Sequence, residues 1–196
     1  MMKIVFATNN QHKLKELQQI LSMKFELLSL DDMKCFEEIP ETSSTIEGNS
    51  MQKAEYVYNK FKMDCFADDT GLEIEALDGR PGVNSARYAG DERDMDKNIE
   101  KVFSELENAN NRNARFKTVI SLFLNGKKHQ FEGIVNGKII KDKKGQSGFG
   151  YDPVFVPNGY DITFAEMDAE LKNKISHRGI AVQKLLRFLT KNDSPD

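Results

Sequence analysis

Residues 65–90, CFADDTGLEIEALDGRPGVNSARYAG, decide the fold. Cys65-Phe66-Ala67 has strand composition. The alternation Leu72-Glu73-Ile74-Glu75-Ala76 predicts a second strand with one buried face. Between them Asp68-Asp69-Thr70-Gly71 consists of ordinary turn formers, so the two carboxylates are expected where one strand gives way to the next. Adjacent carboxylates repel, and they are usually kept apart or share a cation. The stretch is therefore either a plain hairpin turn or a Mg²⁺ site, since Mg²⁺ takes one or two carboxylates together with substrate phosphates.

Upstream, KIVFA at 3–7 predicts a buried strand, and Thr8-Asn9-Asn10-Gln11-His12-Lys13 a polar loop. A helix follows with Leu14, Leu17, Ile20 and Leu21 on one face. A strand–loop–helix junction aims free N–H groups and the positive helix end at the loop, where anions bind. Thr8, Asn9 and Asn10 also serve as plain caps. Residues 26–30 predict a short strand. A helix over about 46–63 carries Ala54, Val57, Tyr58 and Phe61 inward, which leaves Lys53 off the stripe and solvated.

Downstream, Met95, Ile99, Val102, Phe103 and Leu106 predict a helix over about 91–108 with all five in the core. Strand 115–124 runs into Asn125-Gly126, a strong hairpin signal. Residues 129–135 return, and Asn136-Gly137 predicts a second turn. GQSGFGYD at 145–152 is a glycine-rich connector whose Phe149 is either core or a platform for a planar ring. Thr163 and Glu166 have capping-box spacing, and Ser176 reads as the N-cap of a last helix facing inward through Ile180, Leu185, Phe188 and Leu189. His177 and Arg178 then lie in its first turn, where cations oppose the helix dipole; a ligand is the simplest reason for them. A disordered tail is expected over about 191–196.

The chain has 196 residues, 39% of them hydrophobic and 30% charged, which fits a globular protein with an ordinary charged surface. A net charge of −3 gives no general case for nucleic-acid binding. Two cysteines make neither a disulfide framework nor a zinc site, and Cys65 is expected as a core thiol. No apolar run approaches the roughly 18 residues of a membrane span. With no signal peptide in view, a reducing cytoplasm is the default.

Six collinear segments resemble the inosine triphosphate pyrophosphatase family: ATNNQHKLKEL at 7–17, GNSMQKA at 48–54, ADDTGLEIEALDGRPGVNSARYAG at 67–90, SGFGYDPVFVPNG at 147–159, TFAEM at 163–167 and KNKISHRGIA at 172–181. The resemblance implies an elongated α/β fold, a single domain over 1–196 with a long mixed sheet flanked by helices and two lobes around a cleft, and a homodimer. It implies Mg²⁺-dependent hydrolysis of ITP, dITP and XTP to the monophosphate and pyrophosphate, which cleanses the nucleotide pool of deaminated purines.

Carried over residue by residue, the resemblance implies that Thr8, Asn9, Asn10, Gln11, His12 and Lys13 hold the triphosphate, with Lys53 adding a second charge. Glu41, Asp68 and Asp69 would bind Mg²⁺, and Asp69 would activate water. Thr70 would touch substrate. Phe149, Gly150, Tyr151 and Asp152 would stack on and read the base, and Lys172, His177 and Arg178 would close over the purine. Arg178 or His177 would donate to the 6-oxo group. Two departures stand out: Asn9 where many members have glycine, and Gly48 where glutamate is frequent. The competing readings are a pyrophosphatase for modified pyrimidines or methylated nucleotides, and a non-enzymatic nucleotide- or RNA-binding module.

Overall fold

A computed structural model of the chain describes residues 2–21 and 25–192. In chain order the elements are β1 (Met2–Phe6), α1 (Gln11–Leu21), β2 (Phe25–Leu28), α2 (Ile46–Phe61), β3 (Cys65–Ile74), β4 (Pro81–Gly82), α3 (Met95–Glu105), β5 (Asn113–Leu124), β6 (Lys127–Ile139), β7 (Phe155–Pro157), α4 (Ala169–Ile175) and α5 (His177–Asn192). The strands form one mixed sheet in the order β2-β1-β3-β5-β6-β7, with β4 paired to β3. β1 runs parallel to β2 and β3; β4 and β7 are antiparallel to β3 and β6. The chain divides into two compact units. One comprises residues 1–69, 118–133 and 178–196; the other comprises 70–117 and 134–177.

The first unit has helices on both faces of its strands, so the strands are apolar on both sides, as buried parallel strands are. Alternation sorts the side chains. Ile4, Phe6, Phe66, Ile120 and Leu122 pack with Leu17 of α1 and with Leu185 and Leu189 of α5. Val5, Ala7, Cys65, Ala67 and Phe123 pack with Ala54 and Val57 of α2. The predicted face of α1 holds at buried Leu17 and half-buried Leu14; Ile20 and Leu21 lie outside the residues whose side chains are described. The core of the second unit gathers Leu72, Ile74, Ile99, Val102, Leu106, Phe116, Phe155 and Phe164. There Arg112 donates to the carbonyls of Leu106, Ile139 and Ile140 and closes the end of α3.

Several expectations change. The acidic pair is not at a turn: β3 passes through it without a break from Cys65 to Ile74. Asn125 and Gly126 do form the hairpin turn, both at positive φ. Asn136-Gly137 forms none, and β6 is continuous across it. Gly137 pairs with Pro157 of β7, and a Cβ built there would lie 2.3 Å from the Val156 carbonyl oxygen, so close approach rather than turning demands this glycine. Glu166 does accept from the Thr163 N–H at 2.8 Å, but the helix begins only at Ala169, capped by Asp168. Ser176 does stand directly before α5, at the expected N-cap position with His177 and Arg178 in the first turn, and it is also the C-cap of α4. α5 keeps Leu185 and Leu189 buried and extends to Asn192, into the expected tail; residues 193–196 lie outside the described residues. Met95 sits at the first position of α3 and is 46% exposed rather than core. No helix among the described residues is long and apolar enough to cross a membrane.

Gly137→Ala should destabilise the fold by about 1–3 kcal/mol, the usual range for overpacking. Denaturant unfolding of the variant against the parent checks it, and an unchanged midpoint would mean that β7 yields without cost.

Candidate active site

The two carboxylates of the opening stretch are kept apart by the strand itself. Successive side chains of a strand point to opposite faces. Phe66 packs among the α1 and α5 side chains, and Asp68, two residues on, faces the same way. Its carboxylate lies 3.0 Å from Lys13 Nζ, at the start of α1, and 3.3 Å from Arg178 Nε, at the start of α5. Arg178 Nη1 reaches Glu16, one helical turn beyond Lys13. Asp68 and Arg178 are 1% and 3% exposed, so both charges are compensated within the protein. Burial works against the Asp68 charge, but Lys13, Arg178 and Lys53 outweigh it and hold the carboxyl well below the usual range.

Cys65 and Ala67 face α2, and Asp69 follows them there. Lys53 Nζ stands 3.3 Å from Asp69 and 2.5 Å from Glu41. Far from solvated, Lys53 is 7% exposed. Burial opposes its charge, yet Asp69, Glu41 and Asp68 hold its pKa above the ordinary lysine value. Burial also raises the Asp69 carboxyl, against the pull of Lys53 and Lys13. Cys65 is the expected core thiol: its Sγ donates to the Ala54 carbonyl at 3.3 Å, and burial pushes it up to about 12.

The loop bearing Glu41 is pinned to α2. Gln52 exchanges two hydrogen bonds with Thr42, both at 2.9 Å, and Asn49 accepts from the Ser43 N–H at 2.8 Å. Thr45 caps the helix by accepting from the Gly48 N–H at 3.0 Å. A Cβ at Gly48 would fall 1.9 Å from Ser43 Oγ, which explains why this position holds glycine. In the Thr8–Lys13 loop, Asn10 Oδ1 accepts from the His12 and Lys13 N–H groups at 3.0 and 3.2 Å, and Thr8 Oγ1 accepts from the Asn10 N–H. Asn10 thus caps α1, while Asn9, Gln11 and His12 are exposed.

In the second unit the GQSGFGYD loop folds around Asp152. Its carboxylate accepts from the Phe149 N–H and from Lys172 Nζ, each at 2.8 Å. The Lys172 ammonium stands 5.3 Å from the Phe149 ring centroid. Gly148 is at φ 78, and a Cβ there would meet Asp152 Oδ2 at 2.2 Å. Phe149 stays partly exposed, as a stacking platform must. Tyr151, expected to read the base, is instead 4% exposed, with its hydroxyl donated to the Ser85 carbonyl at 2.8 Å. The His177 ring stacks on Phe116 at 4.5 Å.

The candidate residues therefore fall into two groups. Lys13, Glu41, Lys53, Asp68, Asp69 and Arg178 come together in the first unit. Phe149, Tyr151, Asp152, Lys172 and His177 belong to the second, as does Thr70. Arg178, expected over the purine, pairs instead with the acidic groups of the first. Glu16, Asn49 and Gln52 were not anticipated. Glu16 was legible as the residue one turn from Lys13 on the same face; the pinning role of Asn49 and Gln52 carries no comparable signal.

No trio of acidic, histidine or cysteine side chains among the described residues is close enough to enclose a metal ion. The expected cluster of Glu41, Asp68 and Asp69 does not form, because the pleat turns Asp68 away. Glu41 and Asp69, which share one ammonium, still fit Mg²⁺, a cation content with one or two carboxylates plus substrate phosphates. The charges agree. Glu16, Glu41, Asp68 and Asp69 outnumber Lys13, Lys53 and Arg178, so a bare triphosphate would meet a slightly negative site and a divalent cation would reverse that sign.

The family model of the Ham1 family matches residues 4–188. A relative from Flavobacterium johnsoniae, named dITP/XTP pyrophosphatase, is 55% identical over 96% of this chain and 98% of its own. One of the same name from Bacillus subtilis is 43% identical over 96% and 98%. Among solved structures, the Staphylococcus aureus Ham1 protein superposes with a TM-score of 0.89 at 38% identity, covering 97% of this chain and all of that one. A nucleoside-triphosphatase / dITP/XTP pyrophosphatase from Mycobacterium abscessus gives 0.77 at 40% identity over 94% and 99%. A family model matching residues 4–188, with relatives 43–55% identical over nearly the full length, means that this chain belongs to the Ham1 family.

Proposed function

We propose that this chain is a nucleoside-triphosphate pyrophosphatase that hydrolyses ITP, dITP and XTP to the monophosphate and pyrophosphate. The observation that carries this reading is the 55% identity, over nearly all of both chains, with a relative named dITP/XTP pyrophosphatase. The paired acidic and basic groups of the first unit supply the matching chemistry.

Water attacks the α-phosphorus, the bond to the α–β bridging oxygen breaks, and pyrophosphate leaves as one unit. Asp69 accepts the proton from water as general base. Glu41 and Asp69 would hold Mg²⁺, which when bound neutralises charge on the triphosphate as a Lewis acid. Lys53 and Lys13 meet the charge that develops on the leaving pyrophosphate. The Thr8–Lys13 segment meets a phosphate through the Lys13 ammonium and its exposed polar side chains, since Asn10 already takes the His12 and Lys13 N–H groups. Asp68 acts from behind, holding Lys13 and Arg178 in place.

Selectivity rests on the second unit. A purine stacks on Phe149. His177 is the donor for the 6-oxo group, because Arg178 is committed to Asp68 and Glu16 and Lys172 to Asp152. An adenine amino group would leave such a donor unsatisfied, at a cost of about 1–3 kcal/mol. The partner is a small nucleotide rather than a nucleic acid, in keeping with a net charge of −3. Free, buried Cys35 and Cys65 suit a reducing cytoplasm, and the family resemblance implies a homodimer as the working form.

Pyrophosphate release from ITP, XTP, GTP and ATP, each with Mg²⁺ and with EDTA, tests the whole reading. Fast release from ITP and XTP with Mg²⁺ and loss with EDTA are expected; orthophosphate as product would sink it. Asp69→Asn should lower kcat by at least about 100-fold, the lower end for loss of a general base, with nucleotide binding retained in calorimetry. Full activity would remove Asp69 from the chemistry. Asp68→Asn should destabilise by about 3 kcal/mol, because Lys13 and Arg178 lose a buried counter-charge. Since folding lowers the Asp68 pKa from its ordinary 3.8, this contribution is present above that pH and fades below it. The gap between parent and variant should therefore narrow from pH 7 to pH 3; a constant gap would mean that the charge is not its source.

A further inference from the structure

Three polar side chains form a hydrogen-bonded line, from exposed Gln130 through Ser121 and Ser50, into the otherwise apolar layer between α2 and the strands of the first unit. Ser50 and Ser121 are both fully buried. The Ser50 hydroxyl donates to the Ala67 carbonyl at 3.0 Å and lies 2.9 Å from Ser121 Oγ. Gln130 Nε2 donates to Ser121 Oγ at 2.9 Å and to the Glu47 carbonyl at 3.1 Å. A hydroxyl carries one proton. The Ser50 proton is thus shared between the Ala67 carbonyl and Ser121 Oγ, and Ser121 also accepts from Gln130. Both protons of the Gln130 amide are used.

The line ends where the chemistry begins. Ala67 is bonded directly to Asp68, and its carbonyl belongs to the peptide that enters the acidic pair. Ser50 lies one helical turn before Lys53 on the same helix. One hydroxyl thus ties the helix that carries Lys53 to the strand that carries Asp69, beside the 3.3 Å Lys53–Asp69 contact. Gln130 binds the first turn of that helix through Glu47, so α2 is held at two points. Around the line the packing is mostly apolar, through Ala54, Val57, Ala67 and Phe123, with the weak Cys65 Sγ–Ala54 carbonyl bond as a further tie between β3 and α2. Directional bonds fix a position along the strand, and the Ser50–Ser121 pair at the centre of this line is buried, where hydrogen bonds are stronger than in water.

We propose that Ser50, Ser121 and Gln130 are positioning residues: they set the distance between Lys53 and Asp69, and so the transition-state contact of Lys53, without touching substrate. The inference rests on the assignment of Lys53 and Asp69 to the pyrophosphatase reaction. A misplacement of about 1 Å can cost two orders of magnitude in rate. A hydroxyl that acts through one lysine should therefore matter only while that lysine is present.

The test is a double-mutant cycle of Ser50→Ala with Lys53→Ala, read as kcat for ITP with Mg²⁺ and as Kd for inorganic pyrophosphate in calorimetry. Ser50→Ala alone should lower kcat about ten-fold and weaken pyrophosphate binding; in the Lys53→Ala background it should change either by less than about two-fold. Equal losses in the two backgrounds would overturn the proposal, since loosened packing costs the same with or without the lysine. Unchanged kcat and Kd in Ser50→Ala would overturn it as well. Ser121→Ala, which removes the second link, is taken through the same cycle and decides the matter if Ser50→Ala does not fold. If the parent enzyme releases no pyrophosphate, the assignment of the reaction has failed, and the pyrophosphate Kd still reads the coupling between Ser50 and Lys53.

Discussion

The first unit depends on one geometric constraint, the two-residue period of β3. Asp68 and Asp69 are neighbours in sequence, and in a turn they would repel at close range. In a strand they leave on opposite faces. Each meets a different helical layer, and each layer brings its own cation: Lys13 and Arg178 on one side, Lys53 on the other. The sheet converts a repulsive pair into two attractive clusters. This division also sets the two pKa shifts in opposite directions. Asp68, enclosed by cations, is held ionised; Asp69, buried and facing Glu41 as well as Lys53, is raised. Two carboxylates one residue apart can then differ in role.

That division was only half legible in the sequence. Composition identified the pair and its functional weight, and the family resemblance gave its chemistry. The turn assignment failed because Asp, Thr and Gly favour turns only while their side chains lack better partners. Here Lys13 and Arg178 lie 55 and 110 residues away, beyond any local rule. Asn136-Gly137 failed for a related reason: the pattern of a turn cannot be told from a glycine that admits a neighbouring strand. Periodic signals did better. The α3 stripe was right at Ile99, Val102 and Leu106, and wrong at Met95, where the helix has only begun. Lys53 was misread from periodicity alone, since a buried lysine is recognised by its partners and not by its place on a stripe.

The departure at Gly48 shows how a local requirement can outrank a family habit. The loop that delivers Glu41 is fastened to α2 through Asn49, Gln52 and Thr45, which brings Ser43 against the first turn of the helix. A side chain at position 48 would collide with it. The same fastening gives Glu41 a fixed site on a polar, irregular segment, where ordering would otherwise be costly. The residues between 41 and 52 are best understood as one device: a cap, two side-chain clamps and a glycine that together present a single carboxylate to Lys53.

Burying this many charges is not a route to stability, because desolvation consumes most of what the pairs return. Their value lies in preorganisation. A triphosphate carries several negative charges, and a site that had to recruit its cations during the reaction would spend binding energy on ordering them. Lys13, Lys53 and Arg178 are already ordered, each against a carboxylate of the same chain. Substrate then competes with those carboxylates for cations that are in place, which lowers affinity but leaves the charges aimed where charge develops. Phe149, Asp152 and Lys172 follow the same logic in the second unit: the ammonium is neutralised by a buried aspartate and rests against the face of the ring. Under the proposed function, a purine would meet a neutralised ammonium and a partly exposed ring there rather than a bare charge.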